Sequence, residues 1–313
     1  MNKKNYMGAT LDFMIKNHEN ISFQLFFLSL IPILLWSSNY VVMRLASTQI
    51  SMSVFNGLRF LFLLPLIFFL KKPSLSFLKI LILAFVWIGL NIYCIGRAIE
   101  SEIDTGYLAL GYVTSSIFVI IFSFFINKEV LTKTQAVGAF LAFLGMGFIA
   151  YEKGFDLNYL SGVGFLLGSN FFIALGVTLL KKFNVTASLS VVTWVSGLAV
   201  IPLFGLSLID LGLDEVKLQL AHLDQSTIYS LLYTGLGSSL LGGLVWIDVV
   251  KKMGPNASSF LMFLVPIFGL IFGHLFFEEA FTLNKMISAA LVLSGVFLCL
   301  NQQMFSPKLK SAT

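Results

Sequence analysis

Phe125-Ile-Asn-Lys-Glu129-Val-Leu-Thr132, followed thirteen residues later by Gly145, returns as Leu275-Phe-Phe-Glu-Glu279-Ala-Phe-Thr282, followed by Gly295. Glutamate, threonine and glycine all keep one offset (279 − 129 = 150). Each copy closes one long apolar run and opens the next, so the repeated unit is helix, turn, helix. Self-similarity at half the chain length signals an internal duplication.

The composition fixes where such helices live. Hydrophobic residues make up 58% of the chain and charged residues 11%, with mean hydropathy +0.92. Soluble domains average about 45–50% apolar and about 25% charged residues. The chain therefore reads as an all-α integral membrane protein. Ten helices of roughly 20 residues fill it and leave no room for a soluble domain. The net charge of +5 is not a nucleic-acid footprint, because the bases sit at span boundaries instead of clustering. Cys94 and Cys299 lie inside apolar runs, which argues against a disulfide framework or a thiolate metal site. No small-residue cleavage site follows the first apolar run, so residues 1–22 read as a polar cytoplasmic tail before an uncleaved span.

Ten apolar runs predict helices over 23–43, 52–70, 77–97, 105–127, 133–151, 159–180, 188–209, 226–249, 256–277 and 283–301. They group as a first five-helix repeat over 23–151 and a second over 159–301, with a C-terminal tail over 302–313. Lys71-Lys72, Lys181-Lys182, Lys251-Lys252, and Lys308 with Lys310 follow the even-numbered spans. The opposite loops carry Glu100, Asp104, Glu152, Asp156, Asp214 and Asp224. The excess of lysine predicts that both termini are cytoplasmic, as in a multi-pass protein of a bacterial inner membrane. Five spans per half invert the second repeat, and put Glu129 and Glu279 on opposite faces at helix ends where a carboxylate can reach water. Inverted repeats are the plan of many secondary transporters, whose substrate sites lie at the repeat interface. Ser38-Asn39-Tyr40 and Ser169-Asn170-Phe171 echo the repeat in the leading spans, as do Pro65 and Pro202 in the second and seventh.

Leu35-Trp36-Ser-Ser-Asn39-Tyr-Val, Arg59, and the unit Glu129 … Gly138 … Gly145, with Phe260 … Pro266 … Glu279 … Gly295 in the second copy, resemble the drug/metabolite transporter superfamily, and within it the EamA-type ten-span transporters. The resemblance covers nearly the whole chain. It implies a basket of helices around a central cavity, spans five and ten at the periphery, and ATP-independent transport of small metabolites such as amino acids. One departure stands out. Ser116 occupies the fourth-span position of the family's proline, opposite Pro266, so span nine is expected to kink more readily than span four and Pro266 is the candidate gating residue.

Arg59 is the sharpest candidate for substrate contact. A mid-span arginine costs about 2.5–3.5 kcal/mol on insertion scales and usually faces the bundle interior. It can bind a substrate carboxylate or phosphate, bond a neighbouring helix, or snorkel outward. Asn39 and Asn170 can hold polar substrate groups or tie helices together. Trp36, Tyr93, Tyr112, Trp194 and Trp246 are candidates for an aromatic lining, or for packing and the interfacial belt. Asp248 is a possible proton carrier, though its spacing to Lys251 and Lys252 favours an ion pair. His274, four residues before Glu278, can relay protons or make an interfacial hydrogen bond. No catalytic, cofactor-binding or metal-binding motif is present in the sequence.

Two classes of function remain. The first is a permease or exporter that moves a small metabolite by alternating access, with an amino acid expected and uptake or exchange of a nucleoside-type metabolite such as S-adenosylmethionine as the alternative. The second is a membrane-embedded lipid-modifying enzyme, which needs clustered Asp, His or Glu at one face. The carboxylates here read as singly scattered over loops. The partners expected are a small-molecule substrate and the lipid bilayer, not nucleic acid; the sequence leaves the oligomeric state open.

Overall fold

The computed structural model describes residues 3–154, 156–185, 188–254, 258 and 261–305. Phe260, Lys308, Lys310 and most of the tail expected over 302–313 lie outside the described residues. Among the described residues the fold is helical throughout, as a chain must be when lipid offers its backbone no hydrogen-bonding partner.

Among the described residues nine helices are long and apolar enough to cross a membrane. They are span one (Gln24–Ala46), two (Met52–Phe69), three (Phe77–Glu100), four (Thr105–Ile126), five (Lys133–Ala150), six (Leu157–Lys182), seven (Leu189–Ala221), eight (Gln225–Met253) and ten (Leu283–Leu300). The shorter apolar helix Leu264–Phe277 belongs to span nine. The helix of span one extends back to Lys3, into the segment expected as a polar tail. Span seven runs past its expected end at 209, with a non-helical residue at Gly212.

Spans start where a side-chain oxygen takes an otherwise orphaned backbone N–H. Asp156 accepts from Tyr159 at 2.7 Å, Asp224 from Thr227 at 2.9 Å, and Ser188 from Val191 at 3.3 Å. The hydroxyl and N–H of Thr227 hold the exposed Asp224 carboxyl below its ordinary pKa. The repeated threonines do the same work, since Thr132 caps span five through Gln135 and Thr282 caps span ten through Lys285. Spans four and nine each end on a left-handed residue, Lys128 (φ 60°) and Glu278 (φ 55°), again 150 positions apart.

The duplication also governs where helices are irregular. Span two changes to a 3-10 helix at Leu64–Phe69, around Pro65, and span seven breaks at Ala199, before Pro202. Spans three and eight carry π-helical stretches at Ala84–Leu90 and Tyr233–Leu241, which coincide at the same offset. Spans four and nine are interrupted at Val113–Thr114 and Met262–Phe263. The last pair corrects an expectation. Span nine breaks ahead of Pro266, but span four breaks equally without a proline, because Thr114 and Ser116 turn their hydroxyls onto the Gly111 and Val113 carbonyls at 2.6 and 2.7 Å. Hydroxyls that bond back to the preceding turn bend helices in this way.

Candidate functional site

The leading span of each half braces the broken spans of the other half. In span one, the Ser37 hydroxyl donates to the Val265 carbonyl of span nine at 3.0 Å. Ser38 pairs with the Tyr233 hydroxyl at 2.6 Å, and Trp36 Nε1 donates to the Ser238 carbonyl at 3.0 Å, both at the π-helical stretch of span eight. In span six, the Asn170 amide donates to the Gly111 carbonyl and to Thr114 Oγ1 of span four, each at 2.9 Å. Ser169 donates to Asn91 Oδ1 in span three at 2.6 Å. Around the echo Ser38-Asn39 and Ser169-Asn170 the leading spans thus form a pair of crossed clamps, which add hydrogen bonds from the other half at the irregular stretches they meet.

Between the clamps sits Arg59, only 6% exposed. Its Nε and Nη2 donate to Ser239 Oγ at 3.1 and 2.9 Å, Nη1 lies 3.5 Å from Met43 Sδ, and the guanidinium stands 5.3 Å from the Phe60 ring centroid. No carboxylate among the described residues pairs with it. Tyr40 lies within electrostatic reach of both Arg59 and Tyr112. Asn39 Nδ2 contacts Met43 Sδ at 3.2 Å, and its buried Oδ1 has no partner among the described residues.

Tyr112 also lines a cavity of about 280 Å³ with Ser115, Ser116, Ile173, Met262 and Val296. Ile173, Met262 and Val296 come from the lysine-marked halves of spans six, nine and ten, and Tyr112, Ser115 and Ser116 from the middle of span four. Spans four and nine diverge there but pack tightly towards the acidic face. A β-carbon on Gly106 would stand 2.6 Å from Leu270 Cδ2, which leaves no gap between them.

The repeated glutamates mark the two ends. At the acidic face Glu279 is buried, with its side chain 5% exposed, and pairs with Arg44 at 2.7 Å and Lys285 at 3.4 Å. It also accepts the backbone N–H of Thr105 at 2.6 Å, so it caps span four. Lys285 reaches on to Asp104 at 2.8 Å. At the lysine-marked face Glu129 pairs with Lys181, and these side chains are 45% and 60% exposed. The expectation that both glutamates reach water therefore fails for Glu279. The reading of the carboxylates as singly scattered fails with it, since Asp104 and Glu279 converge on one lysine.

The other predicted residues stand apart from this centre. Trp246 packs edge-on against Trp36 at 5.5 Å. Tyr93 donates to Asp210 at 2.9 Å, and Trp194 Nε1 to the Leu70 carbonyl at 3.3 Å. Asp248 pairs with Lys252 at 2.6 Å on the surface. His274, in the tautomer protonated at Nδ1, donates to the Glu279 carbonyl at 3.0 Å and stacks on Phe281, so it bonds Glu279 and not Glu278. Arg44, Tyr40, Ser239 and Lys285 escaped notice in the sequence. Arg44 and Lys285 stand near span ends, where cations ordinarily read as topology signals. The serine and tyrosine acquire meaning only when spans two and eight meet.

Comparison with known proteins agrees with this architecture. The EamA-like transporter family matches residues 24–151 and again residues 160–301. A protein of Salmonella typhimurium named "Probable amino-acid metabolite efflux pump" is 26% identical over 87% of this chain and 93% of its own length. The Escherichia coli protein of the same name is likewise 26% identical, with the same coverage. A solved crystal structure aligns over 90% of this chain and 99% of its own, with TM-score 0.56 and 14% identity, a likeness of fold alone. With nine candidate spans and one shorter apolar helix among the described residues, and two halves that each match, the chain is a multi-pass membrane protein and belongs to the EamA-like transporter family of the drug/metabolite transporter superfamily.

Proposed function

We propose that this transporter is a secondary carrier for small organic metabolites bearing a carboxylate, amino acids foremost, and that Arg59 binds the carboxylate. The observation that carries the reading is the guanidinium's lack of a counter-ion. Arg59 offers five donors in a fixed fork, and a serine hydroxyl and a thioether leave its charge uncompensated. A bidentate carboxylate supplies the missing charge and the matching geometry. Tyr112 lines the cavity and lies within electrostatic reach of Tyr40, which in turn lies within reach of Arg59, so we read it as the approach to the guanidinium. The relatives named for amino-acid metabolite efflux support the same substrate class.

The cycle we infer is alternating access. The closed end is the one where Glu279 is buried, and the cavity opens towards the other. With the lysine-marked face and both termini cytoplasmic, in a bacterial inner membrane, the empty carrier loads from inside and exports. Asn39, Asn170 and the paired breaks of spans four and nine, Pro266 included, belong to the moving framework. A metabolite screen tests the substrate class. Cells that overproduce the protein should lose one or a few amino acids to the medium, and cells that lack it should retain them. Loss of uptake or exchange of a nucleoside-type metabolite such as S-adenosylmethionine in cells that lack the protein would instead favour that alternative, and export of uncharged metabolites alone would remove the role of Arg59.

A further inference from the structure

The two glutamate sites are equivalent by sequence and unequal in strength. At the acidic face the Glu279 carboxylate draws on Arg44 (2.7 Å), Lys285 (3.4 Å) and the N–H groups of Thr105 (2.6 Å) and Gly106 (3.2 Å). Asp104 holds Lys285 in turn at 2.8 Å. Carried 150 positions to the lysine-marked face, these partners change character. Lys285 corresponds to Gln135, Asp104 to Gly254, Thr105 to Pro255 and Gly106 to Asn256. Gln135 has no charge, Gly254 has no side chain, and Pro255 has no N–H to donate in any conformation. Among the described ion pairs Glu129 has one cation, Lys181. The match of Lys285 with Gln135 is structural as well. Each is the third residue of its helix, and donates its N–H to the capping threonine at 3.1 and 3.3 Å.

We propose that Lys285 and Asp104 are positioning residues of the transport cycle: they hold Glu279 on the start of span four and so set the empty carrier to rest open at the lysine-marked face. This rests on the carrier reading above and adds to it the side on which the carrier loads. The two closed ends compete, and the populations of the two states follow the difference between them. Bonds to charged donors are about twice as strong as neutral ones. The acidic-face closure has two cations and two backbone donors for its glutamate, whereas at the opposite end one described cation pairs with Glu129 and the sequence leaves at most one equivalent backbone donor. Lys285→Gln copies the weaker end onto the stronger. Gln135→Lys does the reverse. Both substitutions shift the carrier the same way.

Double electron–electron resonance in nanodiscs tests this, with spin labels on exposed residues in the full chain. One pair, at Glu102 and Leu283, spans the acidic face; another, at Val130 and Lys251, spans the lysine-marked face. The parent protein should give a short acidic-face distance and a long lysine-face distance. Lys285→Gln and Gln135→Lys should each add a longer acidic-face and a shorter lysine-face component, a population shift of about tenfold or more. Lys285→Arg should restore the parent pattern. A merely structural role for Lys285 would loosen the acidic face with no complementary change opposite and would leave Gln135→Lys silent, which overturns the proposal. If Lys285→Gln does not fold, Gln135→Lys decides alone. Distances that shift in a protein that carries no metabolite would sink the carrier reading and leave the lock standing. Metabolite flux without any shift would do the opposite.

Discussion

The carbonyl oxygen of Gly295 lies 2.5 Å from the point that a β-carbon on Gly138 would occupy. The reciprocal contact, Gly295 on the Gly138 carbonyl, repeats under the duplication, because Gly145 faces the Ser288 carbonyl and residues 145 and 288 are the equivalents of 295 and 138. Spans five and ten therefore meet antiparallel about a pseudo-two-fold axis, backbone against backbone. Small residues drive such contacts in lipid, where packing replaces the hydrophobic effect.

Gly138→Ala should destabilise the protein, because the obstructing atom is backbone and cannot rotate aside. The cost expected for overpacking is about 1–3 kcal/mol. Thermal unfolding in detergent would measure it. A substitution at Gly164, where a β-carbon meets nothing, serves as the control and should leave the midpoint unchanged.

Asn170→Leu tests the clamp on span four. The Gly111 carbonyl and Thr114 hydroxyl would lose the Asn170 donor and keep only each other and the Thr114 N–H, at a cost of about 0.5–1.5 kcal/mol for the lost hydrogen bonds. Hydrogen exchange read by mass spectrometry should show faster exchange in 111–117 than elsewhere. Uniform protection across span four would remove the clamp.

Glu279→Ala should be the costliest of these changes. It leaves Lys285, only 3% exposed, with Asp104 alone, and takes the carboxylate from Arg44 and from two backbone donors. Breaking a buried ion pair in this way costs about 3–5 kcal/mol. Glu129→Ala at the exposed counterpart should cost no more than about 1 kcal/mol. Equal effects would show that the two ends are equally buried in the resting protein.

How much of this was legible in the sequence follows from where the information lies. Span number, helix caps and inversion could be read because hydropathy, the Thr132/Thr282 caps and the Glu129/Glu279 pair are local signals at a fixed offset. The paired π-helical stretches could not, since Ala84–Leu90 and Tyr233–Leu241 share little sequence and owe their shape to packing and to contacts such as Trp36 on the Ser238 carbonyl. Arg59 stood out as an intramembrane charge, but its partner Ser239 lies 180 residues away, and only tertiary structure brings the two together. The Ser116/Pro266 mismatch misled for a physical reason. Hydroxyls at Thr114 and Ser116 break span four as effectively as a proline breaks span nine.

Ser239→Ala separates two roles of the Arg59 site. If Ser239 only orients the guanidinium, its loss should raise the concentration needed for half-maximal transport several-fold and leave the maximal rate within about twofold, the pattern of lost ground-state binding. A fall in maximal rate alone would assign Ser239 to the conformational step instead.

The most direct test of the central claim is counterflow in ATP-free liposomes. Purified protein, preloaded with an unlabelled amino acid, should accumulate the labelled form, and Arg59→Ala should abolish accumulation while the protein remains folded by thermal unfolding. Undiminished counterflow in a folded Arg59→Ala variant, or none with any carboxylate-bearing metabolite in the parent protein, would contradict the account.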